Sequence, residues 1–130
     1  MNFVTIDDFE QFSDLIIKYV TPGVSDMVDS VEWERFTSAE DFLEFLDEDP
    51  DYMVDILFCD VEMGGMSGVE LARQIRDHYQ IGRRIKKMVF VTSYRSLRIE
   101  YDGQIVGKIS KPFEKREIID VARGLIEDLT

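Results

Sequence analysis

The stretch Ile56-Leu57-Phe58-Cys59-Asp60-Val61-Glu62-Met63-Gly64-Gly65-Met66-Ser67-Gly68 decides how this chain folds. Four apolar residues run straight into a carboxylate. A glycine-rich bend follows, and a helical pattern begins at Val69. A short, continuously apolar run bounded by turn signals reads as a strand covered on both faces. The question is what an acid does at the end of such a strand.

Working outward, strand and helix alternate. Phe3 to Ile6 reads as a short strand ending in Asp7-Asp8. Phe9, Phe12, Leu15, Ile16, Tyr19 and Val20 recur at helical spacing, and Pro22-Gly23 is expected to interrupt that helix. Val24 to Ser30 leaves room for one more helical turn. Val31 to Phe36 alternates as a half-buried strand. Ser38, with Asp41 three residues on, is a plausible N-cap for a helix through Leu46. Met53 to Cys59 is the central strand, and Val69 to Tyr79 a helix with Leu71, Ala72 and Ile75 inward, stopped by Gly82. Met88 to Val91 is a strand ending on Thr92-Ser93. A brief helix is expected over Ser96–Tyr101, then a strand from Ile105 to Ser110. Lys111-Pro112-Phe113 follows, and a last helix runs from Arg116 to Leu129.

This order implies an α/β fold: a doubly wound, five-stranded parallel sheet with helices on both faces. The length of 130 residues suits one domain over 1–130. No apolar run is long enough to cross a membrane, and the N-terminus does not read as a signal peptide, so the expected location is cytoplasmic. One cysteine and one histidine exclude an internal disulfide and a cysteine- or histidine-built metal centre. The formal charge of −12 argues against binding DNA or RNA by this domain alone. Asp47-Glu48-Asp49-Pro50-Asp51 reads as a solvated helix end and loop. Arg83-Arg84-Ile85-Lys86-Lys87 reads as solvated loop or partner contact. Cys59 reads as a small buried hydrophobe and His78 as a surface residue.

In open α/β sheets, ligands bind beyond the carboxyl ends of the strands, where strand order reverses. With the flavodoxin-like order 2-1-3-4-5, Asp7, Asp8 and Asp60 crowd one crevice, joined by Thr92 and Lys111. Carboxylates that close repel unless neutralised, and a hard divalent cation such as Mg²⁺ prefers such oxygen ligands. A carboxylate nucleophile flanked by a metal, a lysine and a hydroxyl suits phosphoryl transfer. Asp7-Asp8 could also simply cap the first helix. That accounts for one acid, but not for Asp60 and Lys111 at matching strand ends.

The acid pair Asp7-Asp8, the stretch Asp60 to Gly68, Thr92-Ser93 and Lys111-Pro112-Phe113 together resemble a response-regulator receiver (CheY-like) domain over essentially the whole chain. That resemblance implies a phosphoacceptor in two-component signalling, cytoplasmic and bacterial, and not an enzyme beyond weak self-phosphorylation and autodephosphorylation. Asp60 would take phosphate from a histidine kinase or phosphotransfer protein. Asp8 would ligate Mg²⁺ directly and Asp7 largely through water, with Asp60 and the backbone carbonyl of Glu62 completing the protein's ligands. Thr92 and Lys111 would meet the phosphoryl group, Ser93 would leave it room, and the Lys111-Pro112 bond would be cis. The face of the Thr92–Ile105 helix, the last strand and the last helix would bind a partner or a second copy.

The chain departs from the family at Gly64, where proline is usual, which predicts a looser loop. It departs again at Lys108, where an aromatic switch residue is common. Glu62, Tyr94 and the brief helix after Thr92 look more like receivers of LytTR-type transcription regulators, so the chain is either a stand-alone receiver or part of a longer regulator. Two other functions fit the same elements. A Mg²⁺-dependent aspartyl-phosphate phosphohydrolase of the haloacid-dehalogenase kind would want Asp where Glu62 stands. A phosphorylation-independent interaction module would not need the reactive residues. A flavodoxin would want a hydroxyl-rich loop where Asp7-Asp8 stand.

Overall fold

The computed structural model describes residues 1–94 and 103–130; the expected helix over 96–101 lies outside them. Five parallel strands form one sheet in the order β2-β1-β3-β4-β5. They are β1 (Asn2–Ile6), β2 (Glu32–Phe36), β3 (Val54–Cys59), β4 (Ile85–Thr92) and β5 (Ile105–Ser110). The flavodoxin-like order is therefore the one read from the sequence. The crossovers hold α1 (Glu10–Gly23), α2 (Ala39–Glu48), α3 (Gly68–Asp77) and a single turn, α4 (Tyr79–Gly82); α5 (Lys115–Leu129) closes the chain. No helix among the described residues is long and apolar enough to cross a membrane.

Alternation along the strands divides the core in two. Val4, Leu57, Cys59, Met88 and Phe90 pack under Phe42 and Leu46 of α2 and Leu71 and Ile75 of α3. Phe3, Ile56, Phe58, Val89 and Val91 pack under Ile16 and Val20 of α1 and Ile118, Ala122 and Ile126 of α5. The central strand is buried on both sides from Ile56 to Cys59 because both layers need it, which is why that run is apolar without a break. Each such side chain contributes about 1.5–3 kcal/mol when fully buried.

Four expectations need correction. Helix α1 runs through Pro22 to Gly23 instead of stopping before them. Pro22 has no N–H to donate, so one bond is lost there, and the helix still closes beyond it through Val24 N–H to Val20 C=O at 3.0 Å. Gly23 lies against the Ile119 side chain, which would sit 2.8 Å from an added Cβ, so glycine here lets α5 approach. Val24 to Ser30 forms a turn closed by Met27 N–H to Val24 C=O at 2.9 Å, not a helical turn.

The helix expected over 69–79 ends at Asp77, because His78 is extended (φ −111°, ψ 100°) and the chain restarts as α4. Finally, the basic run 83–87 is not solvated loop. Ile85 to Lys87 belong to β4, and Arg84 is buried. Its guanidinium donates to the carbonyls of Tyr52 (3.0 Å), Leu46 (2.8 Å) and Asp49, closing the C-terminal end of α2. A helix end leaves carbonyls without intrahelical donors, and a five-donor fork serves Leu46 and Asp49 there together with Tyr52 in the loop beyond.

Candidate functional site

The ladder does not stop where the strands do. Asp7 N–H donates to Phe36 C=O (3.1 Å), Asp60 N–H to Ile6 C=O (2.9 Å) and Lys111 N–H to Thr92 C=O (2.9 Å). Each of these residues lies one position past its strand, so its side chain leaves from backbone that the neighbouring strand still holds. The Lys111-Pro112 bond is cis, as the resemblance implied.

These anchored side chains converge. Lys111 Nζ lies 2.6 Å from Asp7 Oδ2 and 3.3 Å from Asp60 Oδ2. Asp7 Oδ1 accepts from Phe9 N–H (2.9 Å), and Asp60 Oδ1 from Val61 N–H (2.7 Å). Asp7 and Lys111 are 3% and 7% exposed, so the pair is taken out of water. One ammonium thus serves two buried carboxylates. Burial, then the neighbouring charge of Asp7, push Asp60 above the usual carboxylate range; Lys111 and the Val61 N–H pull it back only in part.

Asp8 is exposed and adds a third acid. Asp7, Asp8 and Asp60 each offer an oxygen within 4.8 Å of the others. The donor set is all oxygen and carries more negative charge than Lys111 neutralises. It fits a hard divalent cation and suits neither zinc nor copper. Beside it opens a cleft of about 290 Å³, lined by Phe9, Phe12, Asp60, Glu62, Ser93, Lys111 and Pro112.

The remaining sequence-predicted residues fall unevenly. Glu62 and Ser93 are exposed and line the cleft. Thr92 is buried and does not line it; its Oγ1 accepts from Tyr94 N–H at 3.1 Å. Lys108 is in β5, paired with Phe90 of β4. Cys59 is fully buried, and burial followed by the Asp60 charge pushes its thiol far up, so it is inert. His78 is exposed, as expected.

Four participants escaped the sequence reading. Phe9 and Phe12 carry helical periodicity and nothing more in the sequence, yet Phe9 is 58% exposed at the lip. Phe12 sets its ring 4.0 Å from Lys111 Nζ, a cation–π contact that holds the ammonium over the acids. Gly68 opens α3 against the Asp60 backbone carbonyl, which a Cβ would strike, and donates its N–H to Val61 C=O (2.9 Å). A glycine at the start of a helix rather than past its end was the available signal. Glu40, in the first turn of α2, accepts from Met66 N–H in the loop after Asp60 (3.1 Å).

Comparison with known proteins agrees with the fold. The family model described as "Response regulator receiver domain" matches residues 3–123. The heme response regulator HssR of Staphylococcus epidermidis is 28% identical over 122 residues, covering 92% of this chain and 48% of that protein. The sensory transduction protein LytT of Oceanobacillus iheyensis is 29% identical over 79 residues, 60% of this chain and 31% of its own. The chain therefore spans about half the length, or less, of these relatives. The signal receiver domain of an HD domain-containing protein from Pseudomonas fluorescens superposes with a TM-score of 0.77 at 18% identity, over 98% of this chain and 94% of that one. With the family model spanning nearly the whole sheet and its helices, the chain belongs to the response regulator receiver domain family.

Proposed function

We propose that residues 1–130 act as one receiver unit whose phosphoacceptor is Asp60. The observation that carries this reading is the seat of Asp60: a buried carboxylate at the end of the central strand, 3.3 Å from Lys111 Nζ and crowded by Asp7 and Asp8. A carboxylate held above its usual pKa by burial and like charge gains from any partner that supplies positive charge. Mg²⁺ held by Asp8, Asp60 and the Glu62 carbonyl would neutralise the incoming phosphoryl oxygens. Asp7 is engaged by Lys111 and Phe9 N–H, which favours Asp8 as the more available ligand.

The donor is the phosphohistidine of a histidine kinase or phosphotransfer protein. An Asp60 oxygen forms a bond to phosphorus as the P–N bond breaks, and the departing imidazole takes up a proton. Lys111 follows the new negative charge. Thr92, whose oxygen already accepts from Tyr94 N–H, turns to donate a hydrogen bond from its hydroxyl to a phosphoryl oxygen. Water later cleaves the acyl phosphate, returning Asp60 and inorganic phosphate. The domain is a cytoplasmic switch, not a turnover enzyme, and its charge-driven rearrangement alters a partner-binding face.

The test is intact-mass measurement after incubation with Mg²⁺ and acetyl phosphate. One phosphoryl group should be added to the wild type and none to Asp60→Asn, and chelation of Mg²⁺ should abolish labelling. Labelling of Asp60→Asn to the wild-type extent would overturn the assignment. Sustained hydrolysis of a generic phosphate ester would instead favour the phosphohydrolase reading.

A further inference from the structure

The loop from Val61 to Ser67 carries the carbonyl of Glu62, and it holds Gly64-Gly65, of which Gly64 stands where the resemblance noted above leads one to expect proline. Two adjacent glycines leave a backbone with many accessible conformations, so something must select one. Within the loop, Gly68 N–H closes onto Val61 C=O, and Ser67 Oγ accepts from Glu70 N–H (3.1 Å) to cap α3. Both ties lie at the loop's ends. Among the described residues, one hydrogen bond joins it to an element other than the strand and helix it connects: Met66 N–H to Glu40 Oε2, at 3.1 Å.

A second observation places the same carboxylate against the same loop. Gly65 has φ +80°, and an added Cβ there would run into Glu40 Oε2. Gly64 has nothing within 4 Å of where a Cβ would be, so its glycine is not required by crowding. Glu40 therefore presses on the one loop residue whose conformation needs glycine and bonds the next residue's amide. Ser38 caps α2 by accepting from Asp41 N–H (3.1 Å), and Ala39 is buried, so the carboxylate projects from a fixed turn.

We infer that Glu40 is a positioning residue for the metal and phosphoryl chemistry: its bond to Met66 holds the Gly64-Gly65 loop so that the Glu62 carbonyl faces the acids. This rests on the phosphoacceptor reading above. Glu40 does in this chain, by a tether from α2, part of what a stiffer loop would do by itself. Its charge is incidental and its acceptor oxygen is what counts.

The experiment measures Mg²⁺ binding by calorimetry, together with Met66 amide exchange by NMR, in wild type, Glu40→Ala and Glu40→Gln. Glu40→Ala should weaken Mg²⁺ binding and speed Met66 exchange by roughly three- to ten-fold. Glu40→Gln keeps an acceptor and should stay within about two-fold of wild type on both. Glu40→Ala should also melt slightly lower, because the tether is already formed without metal, whereas a merely structural role would lower the melting temperature and spare Mg²⁺ affinity. Wild-type affinity in Glu40→Ala would overturn the inference. Equal losses in Glu40→Gln and Glu40→Ala would overturn it too, since charge would then be the cause. Failure of the wild type itself to bind Mg²⁺ would bring down the phosphoacceptor reading along with it. Wild-type binding and labelling with an indifferent Glu40→Ala would remove Glu40's role alone.

Discussion

The two ends of the sheet both bury a strong cation, and they use it in opposite ways. At the amino ends of the strands, Arg84 is met by three backbone carbonyls. At the carboxyl ends, Lys111 is met by two carboxylates with a third close by. Carbonyls neither titrate nor leave, so the first arrangement is permanent. Carboxylates repel one another and respond to added charge, so the second is poised to change. The residue types follow the same division. A planar fork suits several fixed acceptors, and a flexible ammonium suits a charge that will move.

This contrast can be broken by substitution at either end. Arg84→Ala should have the largest effect, about 3 kcal/mol lost in a urea melt, because several carbonyls lose charge-assisted donors and the stem's packing goes too. Arg84→Lys should recover less than half of that. If Arg84→Ala costs no more than a surface change, the amino end is not the fixed clamp described. Gly68→Ala comes next, at about 2 kcal/mol, from the collision of its Cβ with the Asp60 carbonyl. It should also slow phosphoryl labelling, which Arg84→Ala should leave intact while the protein remains folded.

Asp60→Asn should work in the other direction and stabilise the metal-free protein at neutral pH. Asp60's folded pKa is raised, so between the unfolded and folded values the folded state holds a proton that the unfolded state has lost. The stability linked to it is present at acid pH and falls as pH rises through the folded value. Removing the charge recovers that loss, so the gain should vanish on acidification. It should amount to no more than about 1 kcal/mol, since water still reaches the cleft and screens the pair. A destabilised Asp60→Asn at neutral pH would show that Lys111 more than balances both acids. The smallest effect belongs to Phe12→Leu, which removes the ring beside Lys111 while keeping apolar bulk. About 0.5–1 kcal/mol should be lost, read as a shift in the thermal midpoint.

How much of this was legible in advance depended on the reach of each interaction. The strand ends bearing Asp60 and Thr92 were readable because each closes a local apolar run, and those bearing Asp7 and Lys111 because helical spacing begins soon after them. The Ser38 cap was readable for the same reason, since donor and acceptor lie three residues apart. Helix ends were read less well. Pro22 signals a break, but Gly23 has a packing reason to stay helical that lies on α5. Arg84 was misread because its neighbours Arg83, Lys86 and Lys87 share its chemistry. Only the end of α2, up to 38 positions away, distinguishes it.

From its order of residues alone, this chain determined the succession of strands and helices and which acids, hydroxyl and lysine stand at strand ends. Those features arise from periodicity and from turn chemistry, which act over a few neighbouring residues. Tertiary structure alone decided that Lys111 reaches back 104 positions to Asp7, that Phe12 faces the ammonium and that Glu40 reaches 26 positions forward to the Met66 amide. Such contacts depend on how layers stack and where chain segments meet, and local sequence carries no direct record of that.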